Sequence, residues 1–212
     1  MRLYAVADIH AREERLRRIR DTVADRKPDV LVVAGDFCQF RKPEALLDLF
    51  DELPVPMLAV RGNTDLKRME ELFDIYPNIT GLHLKRVEMN GVPFVGASGT
   101  VPLPLASRMG WSDGELTRQL LKLVTAETVL VAHPPPYGIL DSVLGRFHAG
   151  CRALRRVMNI AAPQLLLCGH IHEQVGVVAL ERTVVVNCSM GKGGGGALVE
   201  LAAGERPRVE ML

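Results

Sequence analysis

A series of short apolar segments that end in glycine or in a polar residue limits the folds that this chain can adopt. Eight such segments, rich in valine and leucine, recur between the first residues and Leu201, and Gly, Pro, Asp or Asn bounds them. Segments of this length and composition predict buried β-strands. Stretches with helical periodicity lie between several of them. The order predicts an α/β fold in which helices cover a buried sheet core.

Five helices are predicted from apolar stripes at helical spacing. Three of the stripes comprise Leu16, Ile19 and Val23; Leu46, Leu47 and Phe50; and Leu66, Met69, Leu72 and Phe73. A fourth helix opens with Ser112 at the N-cap and Glu115 three residues later, the pattern of a capping box. The fifth is expected from about Cys151 to Asn159, because Pro163 follows.

The bulk properties indicate one globular domain spanning residues 1–212. The net charge of +1 gives no general reason to expect nucleic acid or an anionic membrane as a partner. No segment approaches the roughly 20 apolar residues that span a bilayer, and the first residues do not form a signal peptide. The four cysteines lack CxxC spacing, which is typical of reduced, buried thiols. We therefore expect a cytoplasmic protein without a membrane partner.

Five of the predicted strands end in residues that bind divalent metals. These strand-end residues are Asp8 and His10, Asp36, Asn63 and Asp65, His133, and His170 and His172. The carboxyl ends of strands in an open α/β sheet are the usual place for a site, and Asp, Asn and His suit first-row divalent metals. If extended backbone continues past Gly169, the i, i+2 spacing points both following imidazoles into one cavity. Gly35, Gly62 and Gly169 each precede a candidate ligand and would allow close backbone approach.

Taken singly, each of these residues has an ordinary structural explanation. An aspartate after a strand is more often a helix cap or turn former, and a histidine at the core edge is usually only hydrogen-bonded. The ordered set of five strand ends, all carrying ligand-type side chains, favours a metal site instead.

The ordered motifs DIH, GD, GNTD, H and GHIH resemble those of the calcineurin-like metallophosphoesterase superfamily, from Asp8 to His172. The segments AHPPPYGILD, LLLCGHIHEQVG and TVVVNCSMG are similar to its Icc-related predicted phosphoesterases. The resemblance implies a four-layer αββα sandwich with two metal ions at one edge of the sheets. It implies one ion bound by Asp8, His10, Asp36 and His172, and a second bound by Asp36, Asn63, His133 and His170, so that Asp36 bridges.

The chemistry implied by this resemblance is hydrolysis of a phosphoester. A hydroxide shared by the two metals would attack phosphorus in line, because two cations lower the pKa of bound water. Manganese is the metal expected from the family, and Fe, Zn, Co, Ni or Mg are alternatives. Asn63 would also donate to a phosphate oxygen, and Arg61 and Tyr137 are further candidates for contacting a small phosphoester substrate.

One position departs from the family pattern. Many superfamily members carry a histidine after the asparagine of GN, where it helps to protonate the leaving group, but this chain has Thr64. A hydroxyl is a far weaker acid, and losing a general acid typically costs about 10²–10⁴ in rate. The substitution favours a phosphodiesterase over a monoesterase. His148 is either a replacement proton donor or an exposed loop histidine, and the sequence leaves both readings open.

Two other functions compete with the phosphodiesterase. A catalytically weak or inactive protein of the same fold could act as an interaction scaffold, since fold alone does not imply catalysis. A nuclease is less favoured, because the chain shows no basic, aromatic-bearing module for nucleic acid. The complete set of ligand-type residues favours the enzyme. Oligomeric state and physiological substrate stay open.

Two further segments are explained by ordinary structure rather than by a binding function. In SMGKGGGG, Lys192 is followed by glycine rather than Ser or Thr, so the run does not match a phosphate-binding P-loop. It lies between two predicted strands, and we expect a flexible hairpin. The arginine-rich segment AREERLRRIR alternates with glutamates and carries an apolar stripe, which predicts a solvated helix face.

Overall fold

The computed structural model describes residues 1–38, 43–99 and 112–212, and these contain fourteen strands and five α-helices. The strands are β1 (Arg2–Val6), β2 (Val30–Ala34), β3 (Met57–Val60), β4 (Ile79–Gly81), β5 (Arg86–Met89), β6 (Val92–Ala97), β7 (Val129–Ala132), β8 (Ser142–Val143), β9 (Phe147–His148), β10 (Leu165–Cys168), β11 (Gly176–Ala179), β12 (Val184–Asn187), β13 (Ala197–Glu200) and β14 (Arg208–Met211). The helices are α1 (Glu13–Arg26), α2 (Glu44–Asp51), α3 (Met69–Phe73), α4 (Asp113–Leu121) and α5 (Arg152–Ala161).

Two six-stranded sheets form the centre of the molecule. The first has the order β14-β13-β1-β2-β3-β4, and β1 to β4 run parallel. The second has the order β11-β12-β10-β7-β6-β5, with parallel pairing from β12 to β6 and antiparallel strands at both edges. The strands β8 and β9 form a separate two-stranded hairpin. Parallel pairing requires crossover connections, which explains why strands alternate with helices in the sequence.

Three apolar clusters separate the layers. One lies between the sheets and joins residues such as Val32 and Leu58 of the first sheet to Val131 and Leu167 of the second. A second lies between the first sheet and α1, α2 and α3, and a third lies between the second sheet and α4 and α5. The central strands of each sheet are therefore buried on both faces, as their continuous apolar sequences require, whereas the edge strands β5, β11 and β14 are partly exposed. The predicted four-layer αββα sandwich is confirmed.

The helix predictions are confirmed with one difference in extent. Helix α1 buries Ile19 and Val23 of its predicted stripe, and the Ser112 hydroxyl accepts a hydrogen bond of 3.2 Å from the Glu115 amide. Helix α3 begins only at Met69, so Leu66 precedes it and contributes a turn whose carbonyl accepts from the Met69 amide. Helix boundaries read from periodicity are uncertain by a few residues, as here.

All four cysteines are free and buried, as expected. Burial raises the pKa of the Cys38 and Cys151 thiols to about 12, so both are protonated at neutral pH. Among the described residues, no helix combines the length and the apolar character that crossing a bilayer would need.

The prediction of a hairpin at the glycine-rich run is wrong. Strand β12 belongs to the second sheet, whereas β13 pairs with β1 in the first. The run therefore crosses between the sheets, with a 3₁₀ turn at Gly191–Gly193. Near its end, Gly196 has φ +86°, and a Cβ there would lie 2.4 Å from the Ala5 carbonyl oxygen. The glycines permit this close crossing, which a sequence between two strands does not distinguish from a hairpin.

Candidate metal centre

The predicted site residues lie at the carboxyl ends of five strands whose sheets meet at this edge. Strands β1, β2 and β3 are neighbours in the first sheet, and β7 and β10 are neighbours in the second. The two sheets are tied together here because the Ala7 amide donates to the Cys188 carbonyl (3.1 Å) and the Met190 amide donates to the Ala7 carbonyl (2.9 Å). The topology thus places all five strand ends side by side.

The backbone that presents these residues is not extended, which corrects the sequence argument. Strand β10 ends at Cys168, and His170 has φ +69°. Asp8, His10 and Asp36 also have left-handed backbone, with φ of 59°, 53° and 58°. Such a conformation costs a non-glycine residue about 1–2 kcal/mol and concentrates at functional sites. Four of the seven candidate ligands therefore occupy strained positions that the surrounding fold maintains.

The turn at His170 separates the two histidines of GHIH. The imidazole of His170 lies against His133, with ring centroids 5.0 Å apart. The imidazole of His172 lies against His10, with centroids 5.7 Å apart. The extended backbone on which the expectation of a shared cavity depended is absent, yet the two imidazoles still occupy adjacent parts of one site.

The seven candidate ligands form one connected set, which we call the ligand cluster: six of them close a circuit of contacts, and Asn63 joins it through His133. Beside the two imidazole pairs, its contacts are His172 Nε2 to Asp8 Oδ1 (3.2 Å), His10 Nε2 to Asp36 Oδ2 (3.9 Å), Asp36 Oδ1 to His133 Nε2 (3.5 Å), His133 Nε2 to Asn63 Oδ1 (2.9 Å), and the His170 amide to Asp8 Oδ2 (3.0 Å). Residues from position 8 to position 172 thus converge in one place.

The cluster contains two groups of three residues, and within each group the possible metal-ligand atoms lie within 4.8 Å of one another. One comprises Asp8, His10 and His172, and the other comprises Asp8, Asp36 and His133. Asp8 belongs to both groups. Asp36 points one carboxylate oxygen toward His10 and the other toward His133. Both carboxylates therefore hold central positions, and bridging by Asp36 stays a prediction.

The hydrogen bonds of His133 indicate that a cation fits beside it. Its Nδ1 lies 2.8 Å from the Ala34 carbonyl oxygen, which can only accept, so Nδ1 carries the proton. In the neutral imidazole, Nε2 is then an acceptor, yet it faces the Asn63 amide oxygen at 2.9 Å. A contact this short between two acceptors requires either a proton on Nε2, which the raised pKa of this imidazole favours, or a bound cation. A backbone carbonyl that accepts from Nδ1 and fixes the tautomer also commonly supports a metal-binding histidine.

Two buried atoms of the cluster lack a hydrogen bond to any described residue. They are Asp8 Oδ1, despite its contact with His172, and His10 Nδ1. Leaving a buried polar atom unpaired costs about 1–3 kcal/mol. Unpaired ligand atoms, two buried carboxylates and four imidazoles fit divalent cations of the first transition row.

Burial and charge oppose each other at the titratable groups of the cluster. Burial alone would raise the pKa of Asp8, but His172 and His133 outweigh it and lower the pKa well below its ordinary range. Burial opposes protonation of His133, yet Asp36 and Asp8 raise its pKa. The contact with Asp8 raises the pKa of His172, whereas burial and His133 lower the pKa of His170 to about 4. The carboxylates thus draw positive charge to this edge.

The three glycines that precede candidate ligands have no room for a side chain. A Cβ at Gly62 would lie 2.0 Å from Asp36 Oδ1, and one at Gly35 would lie 2.8 Å from His133 Nδ1. A Cβ at Gly169 would lie 2.7 Å from Asp8 Oδ2. The prediction of close approach at these glycines is confirmed.

Asp65 has a structural role that the sequence did not reveal. Its buried carboxylate accepts from the amides of Gly62 (2.8 Å), Phe37 (2.8 Å) and Cys38 (3.1 Å). It therefore ties the loop after β2 to the loop after β3, which carry Asp36 and Asn63. An aspartate two residues after GN is also typical of a turn, so the motif alone gave no sign of this clamp.

Arg61, Tyr137 and His148, the other predicted site residues, stand apart from the ligand cluster. Arg61 is largely buried, and its Nε donates to Glu70 at 2.7 Å. His148 Nδ1 lies 2.7 Å from the buried Asp141 carboxylate, and its ring packs against Tyr137 with centroids 5.3 Å apart. Within the described part of the chain, no hydrogen bond or aromatic contact joins these three side chains to the cluster.

The chain matches the model of a known protein family. The family model for calcineurin-like phosphoesterases matches residues 1–174, most of the chain. The chain belongs to the calcineurin-like phosphoesterase family. This family is dinuclear and metal-dependent, and the ligand cluster supplies candidate residues for such a centre.

One known protein is similar to this chain in sequence, and two others are similar in fold. A UPF0046 protein of Caenorhabditis elegans, K07C11.7, is 31% identical over an alignment that covers 89% of this chain and 69% of its own. A dimetal phosphatase from Danio rerio shares the fold with a TM-score of 0.69 at 13% identity, covering 100% of this chain and 95% of that one. GAP50, the anchor in the inner membrane complex of Plasmodium, has a TM-score of 0.68 at 13% identity, covering 100% and 84%.

Proposed function

We propose that this protein is a dinuclear metal-dependent phosphoester hydrolase that prefers phosphodiesters. The observation that carries this proposal is the convergence of seven ligand-type residues, including two buried carboxylates and four imidazoles, in one connected cluster. Purely structural requirements would not lead five strand ends to converge with strained backbone and unpaired ligand atoms. A small phosphoester substrate and a cytoplasmic location, both expected from the sequence, belong to the proposal.

The ligand cluster divides into residues for two cations. Asp8, His10 and His172 would hold one, Asn63, His133 and His170 would hold the other, and Asp36 would contact both. When bound, the two cations supply Lewis acidity toward phosphoryl oxygens and lower the pKa of a coordinated water. Manganese is the expected metal, although the donor set also suits Fe, Zn, Co, Ni or Mg.

The chain's own groups fix this arrangement. The Thr64 amide donates to Asp36 Oδ1 at 2.9 Å and holds the central carboxylate in one orientation. Ala34 holds the His133 ring through Nδ1, so that its Nε2 faces the site. The side-chain amide of Asn63 carries N–H donors that can orient a phosphate oxygen. These contacts preorganise the site before substrate binds.

The preference for phosphodiesters rests on Thr64. Its Oγ1 is buried and has no hydrogen-bond partner among the described residues. A hydroxyl cannot replace an imidazolium as a proton donor at neutral pH. Substrates whose leaving group departs without protonation are therefore favoured. His148, oriented by Asp141, is retained as the candidate donor for less activated leaving groups.

A screen with Mn²⁺ tests this proposal against phosphodiesters such as bis(p-nitrophenyl) phosphate, cyclic nucleotides and alkyl monoesters. Asp36→Asn should lower kcat/KM about 10²–10⁴-fold, because disrupting a buried charge pair costs about 3–5 kcal/mol and each 1.36 kcal/mol is tenfold. Asp25→Asn, an exposed residue of α1, is the matched control and should retain activity.

Elemental analysis of protein purified without chelator provides the second readout. We expect two transition metals per chain in the wild type and fewer in Asp36→Asn. Less than about one metal per wild-type chain, together with no turnover of any ester, would overturn the proposal and favour the scaffold. Equal rates for alkyl monoesters and aryl diesters would refute only the diester preference.

A further inference from the structure

A cleft lined by arginines adjoins the ligand cluster, and the proposed function does not use it. Its volume is about 370 Å³, and it lies between α1 and the segment after β12. One side is formed by Arg15, Arg17 and Arg18, and the other by Met190, Gly193 and Gly194. Glu14 and Asp21 also line it, so three positive and two negative side chains face the cleft. We call it the arginine cleft.

The arginine cleft shares its walls with the ligand cluster. Arg15 Nη1 donates to the carbonyl oxygen of Asp8, on the same residue whose carboxylate faces the histidines. On the other wall, a Cβ at Gly191 would lie 2.7 Å from His172 Cγ, so this segment packs directly on the imidazole. The cleft is therefore adjacent to the half of the cluster formed by Asp8, His10 and His172.

The arginines of the cleft are not neutralised by the acidic side chains beside them. Arg15 and Arg18 donate to backbone carbonyl oxygens, the latter to Gly193 at 2.7 Å. Within residues 1–38, 43–99 and 112–212, no ion pair involves Arg15, Arg17 or Arg18. A guanidinium has five N–H donors, so one bond to a carbonyl leaves most of them available to an anion.

The glycine-rich run gives the cleft its shape. A Cβ at Gly195 would lie 2.8 Å from Arg18 Nε, and one at Gly194 would lie 2.8 Å from the Ser189 carbonyl oxygen. Lys192 and Gly193 have φ of 50° and 84°, which turns the backbone away from extended geometry. Side chains in this run would displace the Arg18 guanidinium from the cleft wall. The run is thus a compact crossing that leaves space for a ligand.

We propose that the arginine cleft binds a second phosphate group carried by the substrate beyond the phosphoester that is hydrolysed. Guanidinium groups recognise phosphate through charge-assisted, often bidentate, hydrogen bonds. This inference rests on the proposed function and narrows its substrate class to phosphodiesters that carry an additional phosphate. Esters with one anionic group would bind only at the ligand cluster.

Binding to metal-free protein tests the cleft without any catalytic activity. Inorganic pyrophosphate is titrated into EDTA-treated, dialysed protein by calorimetry at low salt. Arg18→Gln and Arg17→Gln should each weaken binding about tenfold, since one charge-assisted hydrogen bond contributes at least about 1.5 kcal/mol. Arg20→Gln, on the same helix but outside the cleft, is the matched control and should bind like the wild type. Absence of binding to the wild type, or equal binding by all four proteins, overturns the cleft as an anion site.

Kinetics with Mn²⁺ then connect the cleft to the substrate. The comparison is between bis(p-nitrophenyl) phosphate and a p-nitrophenyl phosphodiester whose second alcohol carries a phosphate. The second ester should have a KM about tenfold lower, and Arg17→Gln and Arg18→Gln should remove this difference while Arg20→Gln preserves it. Equal KM values in the wild type would overturn the substrate claim. If neither ester is hydrolysed while pyrophosphate binding still depends on the arginines, the proposed function fails and the anion site stands.

Discussion

The ligand cluster has two halves that differ in how firmly the protein holds them. The open half comprises Asp8, His10 and His172. The buried half comprises Asn63, His133 and His170. In the buried half, the His133 side chain is 0% exposed and is fixed by the Ala34 carbonyl. In the open half, the His172 side chain is 36% exposed, and His10 Nδ1 has no partner among the described residues. His133 therefore belongs to the protein core, as Asp8 of the open half also does, whereas His172 lies nearer the surface beside the arginine cleft. Substrate is therefore expected to approach from the open half.

This contrast separates stability from metal binding. A side chain that is packed and hydrogen-bonded without metal should contribute to folding even in the metal-free protein. A half-exposed side chain should contribute mainly when a cation is present. Substitutions of the same chemical type in the two halves test this distinction.

The largest difference is expected between His133→Ala and His172→Ala. In metal-free protein, His133→Ala should lower the free energy of unfolding by about 3 kcal/mol, because it leaves a cavity and an unpaired Ala34 carbonyl. His172→Ala should lower it by about 1 kcal/mol, since the His172 side chain is partly exposed and packs less tightly than His133. Urea unfolding in EDTA measures both values. Equal losses would show that the two halves are held alike.

A smaller effect is expected from adding a methyl group to the buried half. Gly62→Ala places a Cβ 2.0 Å from Asp36 Oδ1 and 2.4 Å from the Asp36 amide nitrogen, and neither can move freely. We expect a loss of about 2 kcal/mol in stability and loss of metal from both positions that Asp36 would contact. Thermal unfolding with and without Mn²⁺ measures both.

The matched control is Gly114→Ala in α4, where a Cβ would meet nothing within 4 Å. That substitution should be neutral or stabilising by up to about 1 kcal/mol, because alanine favours a helix. Retention of two metals by Gly62→Ala would contradict the tight packing of the buried half.

The sequence predicted the layers and the ligand positions because both are encoded locally. Apolar runs such as that before Asp36 specify buried strands, and Ser112 with Glu115 marks a helix start. A strand end is also where α/β folds place polar residues, so the types of the residues were sufficient to select them. The resemblance to a known family then assigned the set to two metals.

What the sequence could not supply depends on contacts between distant segments. The left-handed turn at His170 sends two neighbouring imidazoles to opposite halves of the cluster, whereas i, i+2 spacing suggested one direction. The clamp at Asp65 depends on amides 27 and 28 positions away. The arginine cleft depends on a glycine-rich crossing 175 residues from Arg18. No local pattern specifies such meetings.

The smallest predicted effect concerns the missing proton donor at Thr64, and it tests whether protonation of the leaving group limits the reaction. Thr64→His places an imidazole next to Asn63 in the loop whose amide holds Asp36. If leaving-group protonation limits the wild type, this variant should raise kcat/KM for an alkyl phosphodiester about tenfold, less than the 10²–10⁴ of an optimised general acid. The rate for bis(p-nitrophenyl) phosphate should stay unchanged, because p-nitrophenolate departs without a proton. Thr64→Gln, similar in size but unable to donate as an acid, is the control. An equal gain with both substrates, or with Thr64→Gln, would mean that the substitution acts through binding, and His148 would then be the remaining donor to examine.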